Sequence, residues 1–181
     1  MKSEIINGDL FSTDCEVIAH QVNCMGEMNS GVAKIVREKY PEVFDEYKLS
    51  VNNLNNKCLG GCLLVKCRDG KHIANIFGQY LYNGCEIDKF SLDAYEKPGY
   101  SSSTDSEDLF STYTRRYTNY EAFYRGLIRL RMHVSKHSLK SVAFPYNIGS
   151  DRGGASWNII RRMIDDVFES TGIIVKIYKL N

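Results

Sequence analysis

Two distant stretches of this chain share one order of parts: an apolar run, a polar loop containing glycine, then an amphipathic stretch. The first, HQVNCMGEMNSGVAKIVREKYPEVF, covers positions 20–44; the second, FPYNIGSDRGGASWNIIRRMIDDVF, covers positions 144–168. Strand, loop and helix in that order make the unit of an α/β domain. Loops of this kind meet at the carboxyl ends of the strands and form a ligand crevice. Neither stretch matches a P-loop or the three-glycine dinucleotide fingerprint. Together they suggest a phosphate-bearing nucleotide ligand held largely by backbone groups.

The rest of the pattern agrees. Ile5-Ile6 begins a short strand that ends at Gly8-Asp9-Leu10, and positions 17–22 form a second, buried strand. Positions 31–39 read as a helix with Val32, Ile35 and Val36 on one stripe. Positions 41–47 read as a turn or short helix begun by Pro41, followed by a polar break at 52–56. Strands at 62–67 and 72–77 flank Asp69-Gly70, a hairpin signal. A helix over 119–136 buries Phe123, Leu127, Leu130 and Val134; a strand at 141–144, a helix at 156–170 and a strand at 173–178 complete the chain. This alternation predicts a three-layer α/β/α domain with a mixed, mostly parallel central sheet, since the hairpin requires one antiparallel pairing. One domain spans residues 1–181. Positions 80–113 lack periodicity and read equally as a lid or as an ordinary surface excursion.

Composition narrows the function. A length of 181 residues, 43% hydrophobic and 25% charged, fits a single soluble core. A net charge of +1 gives no overall pull toward nucleic acid or anionic membrane. No stretch reaches the roughly 20 apolar residues of a membrane span, and MKSEIINGDLF does not read as a signal peptide. A cytoplasmic monomer is expected, or a nucleocytoplasmic one if the source is eukaryotic. Cys15, Cys24, Cys62 and Cys67 lie in or beside apolar runs, as small core residues do. No CxxC pair exists, so neither a metal site nor a cofactor is expected.

The ordered set NGDLF, AHQVN with SGVA, IANIFGQ, FPYNIGSDRGGASW and IVKIYKL resembles the macrodomains, nearly end to end apart from positions 80–113. The subgroup it most resembles holds the terminal ADP-ribose protein glutamate hydrolases and the yeast-type ADP-ribose-1''-phosphate phosphatases. The resemblance implies ADP-ribose across the top of the sheet. Asp9 would take the adenine amino group, with Leu10 beside it. Gly31, Val32 and Ala33, preceded by Ser30, would lie near the diphosphate. The second loop would wrap the phosphates and distal ribose with Gly149, Ser150, Asp151, Arg152 and Gly153. Gln21, Pro145, Ile148 and Tyr178 complete the expected ligand-binding set. Asn23 matches an asparagine at the distal ribose, and His20 matches a histidine of the yeast-type phosphatases.

Chemistry gives these residues other possible roles. Asp9 also suits a simple cap, and Ser30 also suits a helix cap. Gly149, Gly153 and Gly154 would admit a ligand close to the backbone, or serve only a turn. His20, with an ordinary pKa near 6.5, suits acid–base work or a buried structural role. Asn23 cannot act as a base. Asp151 could activate water, and Arg152 could pair with phosphate or with Asp151. Trp157 reads as core packing rather than base stacking, and Arg115-Arg116 as a solvated pair. The resemblance also has gaps. The glutamate hydrolases use a lysine where this chain has Gly78-Gln79, and an aspartate where it has Gly153. The favoured expectation is hydrolysis of ADP-ribose-1''-phosphate, or of ADP-ribosylated protein or nucleic acid, with His20, Asn23 and Asp151 at the distal ribose. The alternatives are a non-catalytic ADP-ribose binder and, least favoured at this charge, a module for nucleic-acid ends.

Overall fold

The computed structural model describes residues 3–55, 57–82 and 116–180. Its strands are Glu4–Asn7 (β1), Val17–Val22 (β2), Cys62–Lys66 (β3), His72–Phe77 (β4), Ser141–Pro145 (β5) and Ile174–Lys179 (β6). Its α-helices are Gly31–Lys39 (α1), Pro41–Asn53 (α2), Tyr120–Lys136 (α3) and Trp157–Phe168 (α4), with a 3-10 turn at Leu10–Ser12. The sheet order is β1-β6-β5-β2-β4-β3. All neighbours pair in parallel except β3 with β4, the hairpin turned at Asp69-Gly70. The expected mixed, mostly parallel sheet is therefore present.

Strand periodicity separates the two faces. Val17 and Ala19 of β2 pack with Phe123, Leu127 and Leu130 of α3 and with Ile160 and Ile164 of α4. Ile18 turns to the other face, against Val36 of α1 and Val43 of α2. Val22 and Phe77 meet Tyr47 and Val51 of α2 at the same face's upper end. Phe123, Leu127 and Leu130 are fully buried, each contributing about 1.5–3 kcal/mol of apolar burial.

Element boundaries follow the sequence to within two residues, with one larger exception. α2 continues to Asn53, beyond the short helix or turn expected to end near Tyr47. Val43, Tyr47 and Val51 stand four residues apart and all are buried, so tertiary packing extends the helix through polar positions. The final strand also begins and ends one residue later than expected. Positions 83–113 of the expected excursion lie outside the described residues.

The chain path creates an opening. From β2 the chain leaves through α1 and α2 on one face and returns in β3 and β4, to one side of β2. From β5 it leaves through α4 on the opposite face and returns in β6, to the other side. β2 and β5 are neighbours, so their following loops diverge between them. That is the topological switch point at which open α/β sheets bind ligands.

Candidate ligand-binding site

Because β1, β2, β4 and β5 run parallel, the segments after them share one edge of the sheet. These are Gly8-Asp9, the loop 23–30, Gly78-Gln79 and the loop 146–156.

The loop 23–30 is organised by its first residue. Asn23, 6% exposed, accepts at Oδ1 from the backbone N–H groups of Met25 (2.9 Å) and Glu27 (3.3 Å), and donates from Nδ2 to the Glu27 carbonyl (2.7 Å). The buried Tyr47 hydroxyl reaches Asn23 Oδ1 at 2.8 Å and its carbonyl at 2.9 Å. Met28 is fully buried and plugs the loop into the cluster of Val22, Tyr47 and Phe77. The loop delivers Ser30 to the N-cap of α1 in extended backbone, yet its side chain makes no capping hydrogen bond. Gly31 follows with φ +57°, a conformation that favours glycine. The N–H groups of Gly31, Val32 and Ala33 thus remain available at the positive end of α1, where an anion is stabilised.

The loop 146–156 is held differently. Ile148, 4% exposed, anchors it in the α3/α4 cluster. Ser150, Gly154 and Ala155 donate their N–H groups to the carbonyls of Asn147, Asp151 and Gly149. The N–H groups of Asp151, Arg152 and Gly153 take no part in these bonds. The side chains of Asp151 and Arg152 are exposed, and Ser150 is half-buried. Pro145 ends β5, and Tyr146 donates its N–H to the Tyr178 carbonyl at 2.8 Å. Trp157 is half-buried with its ring 4.8 Å from that of Tyr146, which agrees with a packing role. Arg116 is exposed and lies over the Tyr120 ring at 4.4 Å.

Asp9 is exposed at the end of β1 and caps the 3-10 turn, accepting from the Phe11 N–H at 3.0 Å. Leu10 is buried against Ile18, Val36 and Ala143, with Tyr178 packed beside that group. The turn lies against β5 and β6, which brings Asp9 toward the switch point rather than leaving it at the sheet edge.

His20 is 1% exposed, on the face covered by α1 and α2. Its Nε2 shares a 2.8 Å hydrogen bond with Asn75 Oδ1, and its Nδ1 is buried without a partner. Burial lowers its pKa to about 4, against a smaller raising effect of the Asn75 bond. At neutral pH it is an uncharged imidazole whose Nε2–H donates to Asn75.

Gln21 points to the opposite face. Its Nε2 donates to Gln79 Oε1 (2.6 Å) and to Thr118 Oγ1 (2.9 Å). Thr118 in turn donates to the Gly149 carbonyl at 2.8 Å. Thr118 and Tyr47 are site-supporting residues the sequence reading did not identify. The spacing of Val43, Tyr47 and Val51 carried a signal for the tyrosine. Thr118 has no local signal, because its partners lie 31 and 97 positions away. Among the described residues, no group of three or more His, Cys, Asp or Glu side chains could hold a metal ion.

No family model matches the chain. Over 42 residues it is 40% identical to a DNA ADP-ribosyl glycohydrolase of Mycobacterium tuberculosis, covering 23% of this chain and 12% of that protein. Over 50 residues it is 40% identical to an ADP-ribose 1''-phosphate phosphatase of Neosartorya fischeri, covering 27% of this chain and 25% of that one. The chain thus matches a quarter or less of these relatives' lengths. The fold is similar to the macrodomain of Mycobacterium tuberculosis DarG, with TM-score 0.72, 21% identity and 97% of both chains covered. It is also similar to a Streptomyces coelicolor macrodomain protein, with TM-score 0.68, 19% identity and 98% of both covered. Thermosipho africanus DarTG, solved in complex with ADP-ribose, aligns with TM-score 0.68 and 17% identity over 97% of this chain and 41% of that one.

Proposed function

We infer that this chain, a macrodomain by fold, binds ADP-ribose at the switch point between β2 and β5 and hydrolyses a derivative of it at the distal ribose. One observation carries the reading. Two neighbouring strands diverge there, and each feeds a loop whose backbone N–H groups are left over after the loop's own bonds are made. Such a site holds a diphosphate without lysine or metal.

Gly31, Val32 and Ala33 take one side of the diphosphate, and the segment from Gly149 to Gly153, including Ser150, takes the other. Asp9 uses one carboxylate oxygen on its own turn and offers the second to the adenine amino group. Leu10, Pro145, Ile148 and Tyr178 form the apolar setting beneath the ligand. Arg152, exposed in the loop, pairs with phosphate. Among the described residues Cys15, Cys24, Cys58, Cys62 and Cys67 are free thiols, which supports a reducing, cytoplasmic setting. In this reading the protein acts as a monomer.

Water is the nucleophile in this reading. No lysine nucleophile is offered directly after β4, where the chain has Gly78 and Gln79, and a Cβ at Gly78 would already press on Gln21 Oε1 at 2.6 Å and the Phe123 ring at 2.9 Å. Asp151 is the exposed carboxylate available to accept a proton from that water. Neutral His20 and Asn23 shape the pocket floor, and the rate comes from orientation and charge stabilisation by fixed donors. The substrate is ADP-ribose-1''-phosphate, or ADP-ribose carried on protein or nucleic acid; the names of the two relatives support the 1''-phosphate and the nucleic-acid form.

A second reading, an ADP-ribose binder that performs no chemistry, is favoured by one observation. His20 and Asn23 already spend hydrogen bonds on Asn75 and on the loop 23–30. Calorimetric titration with ADP-ribose, followed by incubation with ADP-ribose-1''-phosphate, ADP-ribosylated protein and ADP-ribosylated DNA, separates the two. Binding with release of ADP-ribose supports the hydrolase and names its leaving group. Binding without turnover selects the binder, and absence of binding overturns both.

A further inference from the structure

We propose that Gln21, Gln79 and Thr118 are positioning residues: a side-chain relay that fixes the loop 149–153 in its binding shape before any ligand arrives. The proposal rests on the reading of that loop as part of an ADP-ribose site, and it gives Gln21 a role beneath the loop.

The relay has a defined direction. Thr118 is 1% exposed and has a single hydroxyl proton, which goes to the Gly149 carbonyl. It therefore accepts from Gln21 Nε2, whose other proton goes to Gln79 Oε1. A flipped Gln21 amide would turn its oxygen toward the Gln79 acceptor and compete with Gly149 for the Thr118 proton. The orientation adopted instead leaves Gln21 Oε1 buried and unpaired. An unpaired buried acceptor opposes folding. Retaining one here fits a demand that both amide protons be used where they are.

The backbone adds a second tie. The N–H groups of Tyr117 and Thr118 both donate to the Gly153 carbonyl, at 3.0 and 2.9 Å. The carbonyls at both ends of 149–153 are thus held from below by one short segment, which fixes the span of the loop. Packing leaves no slack. A Cβ at Gly153 would lie 2.2 Å from Thr118 Oγ1 and 2.4 Å from the Gly149 carbonyl oxygen, and one at Gly149 would lie 2.8 Å from Gln21 Oε1. Two polar side chains and these glycines form one close-packed knot beneath the exposed Asp151 and Arg152. A loop held in this way spends little ordering entropy on binding.

The test compares Thr118→Val, Thr118→Ser, Gln79→Met and Asn119→Ala in the full chain. Each is read by ADP-ribose calorimetry, thermal unfolding and amide hydrogen exchange of residues 149–155 without ligand. Asn119→Ala is the control: it removes the α3 cap bond to the Ala122 N–H next door to the relay and touches neither loop. Thr118→Val is expected to weaken ADP-ribose binding about tenfold and to speed exchange across 149–155. Thr118→Ser, which keeps the hydroxyl, restores both. Gln79→Met weakens binding about threefold and keeps the test open if the valine variant does not fold. Asn119→Ala lowers the melting temperature while leaving affinity and loop exchange unchanged. Wild-type exchange and affinity in Thr118→Val or Gln79→Met would overturn the relay, as would an affinity loss in Asn119→Ala matching theirs. If the wild type does not bind ADP-ribose, the ligand reading fails, and the exchange measurement alone still decides the relay.

Discussion

The two loops at the switch point are written in similar sequence, and each has internal hydrogen bonds and one buried apolar anchor, Met28 or Ile148, but they differ in where the polar side chain that orders them comes from. The loop 23–30 is self-organised: Asn23 bonds its own following residues, and Met28 plugs the loop into the core. The loop 146–156 exposes Asp151 and Arg152 and is shaped from outside by Thr118, Tyr117 and Gln21. A glycine-bearing loop can therefore be made rigid by one of its own polar side chains or by a foreign segment packed beneath it. The first arrangement keeps its determinants within the loop and its neighbouring helix. The second frees the loop's side chains for chemistry and places its determinants elsewhere in the chain.

The largest expected effect tests the self-organised loop. Asn23→Ala strips the side-chain partner from the backbone N–H groups of Met25 and Glu27 and from the Glu27 carbonyl, leaving the Tyr47 hydroxyl only the backbone carbonyl of residue 23, and should cost roughly 3–4 kcal/mol in urea unfolding. The corresponding change in the other loop, Arg152→Ala, removes an exposed side chain and should stay within about 0.5 kcal/mol. Equal costs for the two variants would end the contrast.

Next in size is a pH effect beneath the first loop. Burial holds His20 at about 4, below its ordinary 6.5. As pH falls below 6.5 the unfolded chain takes up a proton that folded His20 refuses until about 4, so the unfolded state is favoured across that window. The neutral histidine's contribution is complete above the window and is lost as pH falls through it, by about 3 kcal/mol in all. Unfolding of wild type and His20→Gln should diverge in pH dependence there, with the flatter profile in the variant. Parallel profiles would mean that His20 is not buried as described.

Asp9→Ala should weaken ADP-ribose binding by about 1–3 kcal/mol, read by calorimetry, because the adenine amino group loses its acceptor. An unchanged affinity would sink the adenine assignment. The smallest effect concerns the cap of α1. Ser30 makes no capping bond, so Ser30→Ala should change stability by only a few tenths of a kcal/mol, whereas Asn119→Ala at α3 should cost about 1 kcal/mol. A cost for Ser30→Ala equal to that of Asn119→Ala would show that the α1 N–H groups are capped in solution and not kept for a ligand.

What the sequence revealed follows the range of the forces involved. α1 was legible to the residue because its loop, its glycine and its apolar stripe are all local. The β3–β4 hairpin was legible from Asp69-Gly70. α2 was read too short because its polar surface hides a stripe that only packing under Val22 and Phe77 makes decisive. The switch point needed the strand order, which the alternation of elements does not specify. His20 was legible as a titratable group at a strand end, but its burial and its bond to Asn75, 55 positions away, were not. Thr118 was invisible for the same reason, since its meaning lies entirely in what it touches.

The central claim is that the backbone amides of both loops hold the ligand together. Amide resonances of 15N-labelled protein, followed as ADP-ribose is added, test it most directly. The account predicts saturable shifts at Gly31, Val32 and Ala33 and across Gly149 to Gly153, with Leu10 moving alongside them. Shifts confined to one loop, or shifts elsewhere with both loops silent, would contradict it.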